Sequence, residues 1–208
     1  MTRSRLPLGR AGRRAAAALL LVVASGACAA RGHIATPAEI ATLRDVSGLS
    51  AGGKIELSGP QGRVRARLVF GVARPDSLRI EIPAGAGLRF LLIARDGRLR
   101  ADLPLDEAMY EGPATAAVME QLFGIDVSPA DLVSAILGSP PDSLRTSWRF
   151  DASQPAQLVV ERPAGGRLIL SFEDPETVAP GPGAFDFGGA RAHAWTLAEM
   201  SGRLGLKK

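Results

Sequence analysis

The chain is short of the residues on which most site chemistry depends. Cys28 is its only cysteine, so no disulfide within the chain can brace the fold. Its two histidines, His33 and His193, stand near opposite ends and give no pair at metal-ligand spacing, so neither a metal nor another cofactor is expected. There is no Gly-x-Ser-x-Gly elbow and no glycine-rich phosphate loop, since Gly181-Pro182-Gly183 is a proline-rich turn. Asp106, Glu107 and Glu111 gather beside Tyr110, but turn residues of this kind belong to a solvated rim, and no enzyme is expected. Internal repeats are absent. Aromatic residues make up 5% of a chain that is 46% hydrophobic, which points to one domain with a mostly aliphatic core.

The formal charge of +4 is concentrated at one end. Arg3, Arg5, Arg10, Arg13 and Arg14 precede the apolar run Ala15–Ala24, and the first acidic residue comes after Cys28. Without those five arginines, twenty basic residues face twenty-one acidic ones, so the basic balance gives no argument for nucleic acid as a partner. Basic residues, a short apolar core and the small residues Ser25-Gly26-Ala27 follow the order of a secretory signal over residues 1–27. The core falls short of the about 20 apolar residues a membrane-spanning helix needs. Cys28, directly after it, resembles the lipobox cysteine of bacterial lipoproteins, with Ser25 where that motif usually has leucine. The resemblance implies that Cys28 is lipidated and becomes the first mature residue; the alternatives are an ordinary cleaved signal or a merely unpaired cysteine. Several acyl chains on one residue hold firmly to a bilayer, whereas one binds only marginally. Ala29 is not acidic, which by the same resemblance implies sorting to the outer membrane.

Residues 28–36 read as a tether, residues 37–201 as the folded domain and residues 202–208 as a loose tail. Thr36-Pro37-Ala38-Glu39 makes a capping box for a short helix with Ile40 and Leu43 on its apolar edge. From Gly53 the period is two: Ile55 and Leu57, then Val64, Ala66, Leu68 and Phe70, then Leu78, Ile80 and Ile82 mark strands with one dry and one wet face. The turns at Gly59–Gly62 and Arg74-Pro75-Asp76 favour an antiparallel meander. Leu88–Ala94 is more continuously apolar, as in a strand covered on both faces, and Arg95-Asp96-Gly97 is a hairpin signal ahead of Leu99, Ala101 and Leu103. The rows Arg63, Arg65, Arg67 and Arg98, Arg100 fall on the wet face, to be paired with residues such as Glu81 and Asp102.

Two helices interrupt this alternation. Pro113 opens the first, Pro113–Phe123, and Gly124 ends it; Ser128-Pro129-Ala130-Asp131 caps the second, Pro129–Leu137, and Gly138 stops it. Val118 with Leu122, and Leu132 with Ile136, give each one apolar stripe. The pair is therefore expected to lie across one face of the sheet, filling its core or covering a cavity. Strands resume through Trp148 and Phe150, Leu158 and Val160, and Leu168 to Phe172. Glu173–Ala184 is rich in proline and reads as an excursion around the sheet edge, with Phe185, Phe187, His193, Trp195 and Leu197 in closing strands.

The succession of a lipoprotein signal, a meander, Met119-Glu-Gln-Leu-Phe-Gly124-Ile-Asp-Val-Ser-Pro129-Ala-Asp-Leu132 and Ile136-Leu-Gly138-Ser-Pro140 resembles LolB, the outer-membrane receptor for lipoproteins. It also resembles the carrier fold that LolB shares with its soluble periplasmic partner, LolA. The resemblance implies a mainly β fold with α: an antiparallel, strongly curved sheet, an open half-barrel, with the helix pair as a lid over its concave face. It further implies an outer-membrane lipoprotein facing the periplasm, anchored to the membrane through lipidated Cys28. Such a protein would bind acyl chains of a lipoprotein or phospholipid and meet a LolA-like periplasmic carrier. Ala135 stands where LolB-like proteins usually carry tryptophan, and Ala84 where they have a protruding apolar loop residue. A concave face of this kind is too wide for its own side chains to fill. The apolar faces nominate Leu78, Ile80, Leu99, Leu103, Val118, Leu122, Leu137, Trp148, Phe150, Leu170 and Phe172 as its lining. The same residues would equally make a dry core, and the chain would then be a structural or assembly lipoprotein of the envelope.

Overall fold

A computed structural model describes residues 42–59, 62–85, 87–151, 154–161, 166–188 and 193–204 of the chain. The expected signal, Cys28, the tether and the capping box at Thr36 lie outside the described residues. Thr42–Asp45 forms a 3-10 turn that buries Leu43.

Among the described residues, ten strands make one open sheet: β1 (Gly48–Gly59), β2 (Gly62–Ala73), β3 (Ser77–Ala84), β4 (Gly87–Arg95), β5 (Arg98–Leu103), β6 (Ala108–Pro113), β7 (Arg145–Asp151), β8 (Gln154–Glu161), β9 (Arg167–Glu176) and β10 (His193–Ala194). Their order is β10-β6-β5-β4-β3-β2-β1-β9-β8-β7. The expected meander runs from β1 to β6, and the tight turn at Asp96-Gly97, both with positive φ, closes the hairpin foreseen there. The sheet is mixed rather than wholly antiparallel, because β10 lies parallel to β6. A hairpin would have forced the antiparallel arrangement, whereas β10 arrives by a long crossing that leaves its direction free.

β1 starts at Gly48, earlier than expected, and Leu49 within it is fully buried. The glycines that hide this strand from a reading by alternation have a steric cause. A Cβ on Gly53 would run into the Ser171 carbonyl of β9, so the two backbones can approach only if that residue is glycine.

The strand order requires the chain to cross the sheet twice. β6 and β7 lie toward opposite edges, and the helices α1 (Ala116–Phe123) and α2 (Pro129–Ile136) make the connection over one face. α1 begins later than Pro113, which is still paired with Arg98 in the ladder; the cap is Thr115, whose hydroxyl accepts the Val118 N–H at 3.3 Å. In α2 the expected cap is present, with Ser128 Oγ accepting the Asp131 N–H at 3.1 Å. At its other end Arg44 and Arg74 donate to the Gly138 and Leu137 carbonyls at 2.9 and 3.0 Å, placing cations on the negative pole of the helix. Leu132 and Ile136 of α2 meet Leu68, Phe70, Leu78, Ile80 and Leu170 around a void of only about 10 Å³. Phe123 packs edge-on against Phe90, with centroids 5.6 Å apart.

The second crossing uses the opposite face. Residues 177–188 run over it as a strap, not around the edge as expected. Pro180 comes so close to β2 that a Cβ on Gly71 would stand 2.9 Å from its Cγ. Further along, Arg79 donates to the Ala184 carbonyl at 2.7 Å and Arg100 to that of Gly188. The strap buries Phe185 and leaves Ile93 of β4 only 2% exposed, which explains why an isoleucine can stand on the face away from the helices. It also changes the expectation for the arginine rows. Arg100 is 5% and Asp102 8% exposed, and they pair along one strand at 2.8 Å rather than across a wet face.

Beyond the strap, the expected closing strands reduce to the two residues of β10. Phe185 ends a 3-10 turn, Pro182–Phe185, and Leu197 begins α3 (Leu197–Leu204). Thr196 and Glu199 cap α3 reciprocally: the Thr196 N–H donates to Glu199 Oε2 at 2.7 Å, and the Glu199 N–H donates to Thr196 Oγ1 at 3.3 Å. Met200 is fully buried, and Ser201 Oγ donates to the Gln121 carbonyl of α1 at 2.6 Å. Gly202, Arg203 and Leu204 belong to this helix, although the sequence places them in a loose tail. Among the described residues, no helix is long and apolar enough to cross a membrane.

Candidate functional site

Pairing between β2 and β3 stops at Val69 and Glu81, although β2 continues back to Gly62 and β3 on to Ala84. Pro83 is one cause. It lies where the ladder would continue opposite Arg67, it has no N–H to donate, and the register against β4 slips between Ile82 and Pro83. The β1–β2 hairpin and the β3–β4 hairpin therefore part company, and a wedge opens between them.

At this end of the helix-covered face lies a cavity of about 440 Å³. Ile55, Leu57, Val64 and Ala66 line it from β1 and β2, and Ile80, Ile82, Phe90 and Leu92 from β3 and β4. Met119 and Phe123 of α1, Ile125 and Leu132 close it from the helix side, with Leu168 and Leu103 completing the wall. Phe90, Leu92, Met119, Leu132 and Leu168 are buried, while Leu105 in the turn Pro104–Asp106 is 68% exposed at the rim.

The charged residues at this cavity are Arg65, Arg89, Asp106 and Arg203. Arg203 binds Asp106 through two hydrogen bonds, at 2.6 and 3.0 Å, tying α3 to the turn after β5. The bond and charge of Arg203 hold the Asp106 carboxyl below its usual range. Arg65 donates to Glu56 at 2.8 Å, and Arg63 pairs with the same carboxylate. Burial alone would raise the Glu56 pKa, but the bonds from Arg65 and Arg63 outweigh it and the carboxyl lies below its usual value. Arg89 makes no ion pair among the described residues.

Of the residues nominated as lining, Ile80 and Leu103 reach this cavity. Leu78, Ile80 and Leu170 border the small void under α2. Leu99, Leu122 and Leu137 are fully buried and Val118 nearly so, in the packed part of the core. Phe172 is buried between Phe70 and Trp148, at 5.4 and 5.2 Å, and the side chain of Phe150 lies outside what is described. Strand alternation identifies the correct face but not where along a strand the packing gives way, so it does not single out Val64, Ala66, Ile82 and Phe90. Pro83 is the available signal, as a ladder-breaking residue inside an alternating run. Arg203 has none, because its role depends on a helix whose Thr196-x-x-Glu199 cap lies inside an apparent strand pattern.

The acidic group beside Tyr110 does not converge: Asp106 pairs with Arg203 and Glu111 with Arg98, and burial raises the Tyr110 phenol. Among the described residues, no cluster of three His, Cys, Asp or Glu side chains could hold a metal ion.

No protein-family model matches the chain, and no curated protein matches its sequence. Among solved structures it is similar to an uncharacterized conserved protein from Thermus thermophilus, at 8% identity over 76% of this chain and 95% of that one, with a TM-score of 0.41. A likeness of that degree carries no functional argument.

Proposed function

We propose that this protein is a LolB-like lipoprotein of the outer membrane, anchored through Cys28 and facing the periplasm, that takes an acyl chain into the cavity beneath its helices. In this reading the sheet acts as a curved half-barrel, α1 and α2 as its lid, and a LolA-like carrier supplies the cargo. The observation that carries the reading is the apolar cavity of about 440 Å³, with Val64 and Leu105 exposed at its rim. A methylene takes about the space of a water, about 30 Å³ in the liquid, so the cavity accommodates one chain of roughly fifteen methylenes rather than several. Each methylene transferred from water contributes about 0.8 kcal/mol, which supplies the driving force without chemistry.

Native mass spectrometry of the purified protein mixed with palmitate tests this. One bound palmitate, displaced by a competing fatty acid of similar length, is the expected result. A folded protein that stays lipid-free would refute it and favour the second reading, an assembly lipoprotein with a filled core. That reading has its own support in the complete burial of Leu99, Leu122 and Leu137.

A further inference from the structure

We propose that the open edge of β2, Gly62–Leu68, is a docking strand for an extended, acidic peptide segment that carries the acyl chain. The inference rests on the acyl-binding reading and adds to it the place where the peptide part of an acylated ligand would lie.

The register is the first argument. Gly62–Leu68 is paired to β1 on one side, and among the described residues no strand pairs with it on the other. Seven residues match a typical strand of about 5–6, and the unpaired N–H and C=O groups of an edge accept any extended chain of suitable side chains. The second argument is position, because the open edge and the cavity adjoin. Period two turns Val64 and Ala66 into the cavity and Arg63 and Arg67 to the opposite face, with Arg65 reaching both the cavity and the depression on that face. That face carries its own depression of about 440 Å³, which runs from Arg65 and Arg67 across Lys54 and Glu56 of β1 to Gln157 of β8.

Charge selects the occupant. A strand laid along β2 sets every second side chain beside the arginine row, where opposite charges stabilise and like charges repel. A second copy of β2 laid antiparallel would bring arginine against arginine, which excludes self-pairing. Glu56 is already shared by Arg63 and Arg65, whereas Arg67, like Arg89 at the rim, makes no ion pair among the described residues. The fitting segment alternates acidic residues with small ones, its acidic side chains beside Arg65 and Arg67 and its acyl group entering past Val64.

The test uses the purified full-length protein with four probes: a palmitoylated peptide of alternating Glu and Ala, the same lipopeptide with alternate backbone nitrogens methylated, the unacylated peptide, and palmitate. Affinities come from calorimetry and edge pairing from amide hydrogen exchange. Methylation is expected to weaken binding by about tenfold, as loss of strand hydrogen bonds requires. The unmodified lipopeptide is expected to slow exchange at alternate amides of 62–68. Arg67→Glu, an exposed change, should weaken the lipopeptide by about fivefold and leave palmitate binding unaltered. If palmitate binds but methylation changes nothing and residues 62–68 exchange as in the free protein, the docking strand is refuted and the cavity reading stands. If neither palmitate nor lipopeptide binds, the acyl reading fails. The docking strand then survives only if the unacylated peptide slows exchange at 62–68, and falls with the acyl reading if it does not.

Discussion

Ala66→Phe separates a ligand cavity from a packing defect. Ala66 is half-buried on β2, opposite Ile55, and its side chain points into the cavity. Phenylalanine suits an extended backbone, so the β1–β2 ladder has no reason to break. The new ring would occupy the space of about four methylenes, and at about 0.8 kcal/mol each the bound chain loses about 3 kcal/mol. That corresponds to about two decades in Kd, at about 1.4 kcal/mol per decade. The protein itself should be as stable or more so, since the ring buries apolar surface in a space otherwise left open. Palmitate titration followed by Trp148 and Trp195 fluorescence, beside thermal unfolding, measures both quantities. A series of fatty acids from about ten to about sixteen carbons should show affinity rising with length in the natural protein and levelling off early in the variant. A folded Ala66→Phe protein that binds palmitate as tightly as the natural one would refute the assignment of the chain to this cavity.

Three further predictions concern the scaffold around the site. Arg100→Ala leaves Asp102 charged and unpaired beneath the strap, and denaturant unfolding should record a loss of about 3–5 kcal/mol. Phe185→Ala should cost about 3–5 kcal/mol by the same measurement, because its ring is buried between the strap and the sheet. Asp106 has its pKa lowered by Arg203, so its contribution is present above the unfolded aspartate value of about 3.9 and is lost as pH falls through the still lower folded value. Amide exchange in α3 should therefore quicken on acidification through that window, and Asp106→Asn should make it insensitive to the same change.

Local rules carry the sequence reading where structure is decided locally. The cap at Ser128, the stop at Gly138 and the Asp96-Gly97 hairpin are each set by a few neighbouring residues, and each is legible. Reading fails where a distant partner decides. Gly53 is glycine because of β9, more than a hundred residues away, and the strap crosses the face rather than the edge because Ile93 and Arg100 await cover there. α3 passes for strand because His193, Trp195 and Leu197 alternate, although Thr196 and Glu199 already stand at capping-box spacing. The site is half legible for the same reason. The apolar face can be read residue by residue, but the cavity lies where two hairpins lose contact, and that depends on the register between β2 and β3.

The strap also bears on how the chain reaches this fold. Hairpins from β1 to β6 and from β7 to β9 pair near neighbours, so each group can close early in folding. The seam between the groups, β1 with β9, joins residues as far apart as Ser50 and Glu176, and pairings of such separation are slow to form. The strap comes later still, because residues 177–188 follow β9. Until it settles, Ile93 and its same-face neighbour Leu91 stand uncovered on β4, apolar residues of high β propensity that stick to other chains. That exposure ends only when residues 177–188 settle, and the strap serves as its terminator.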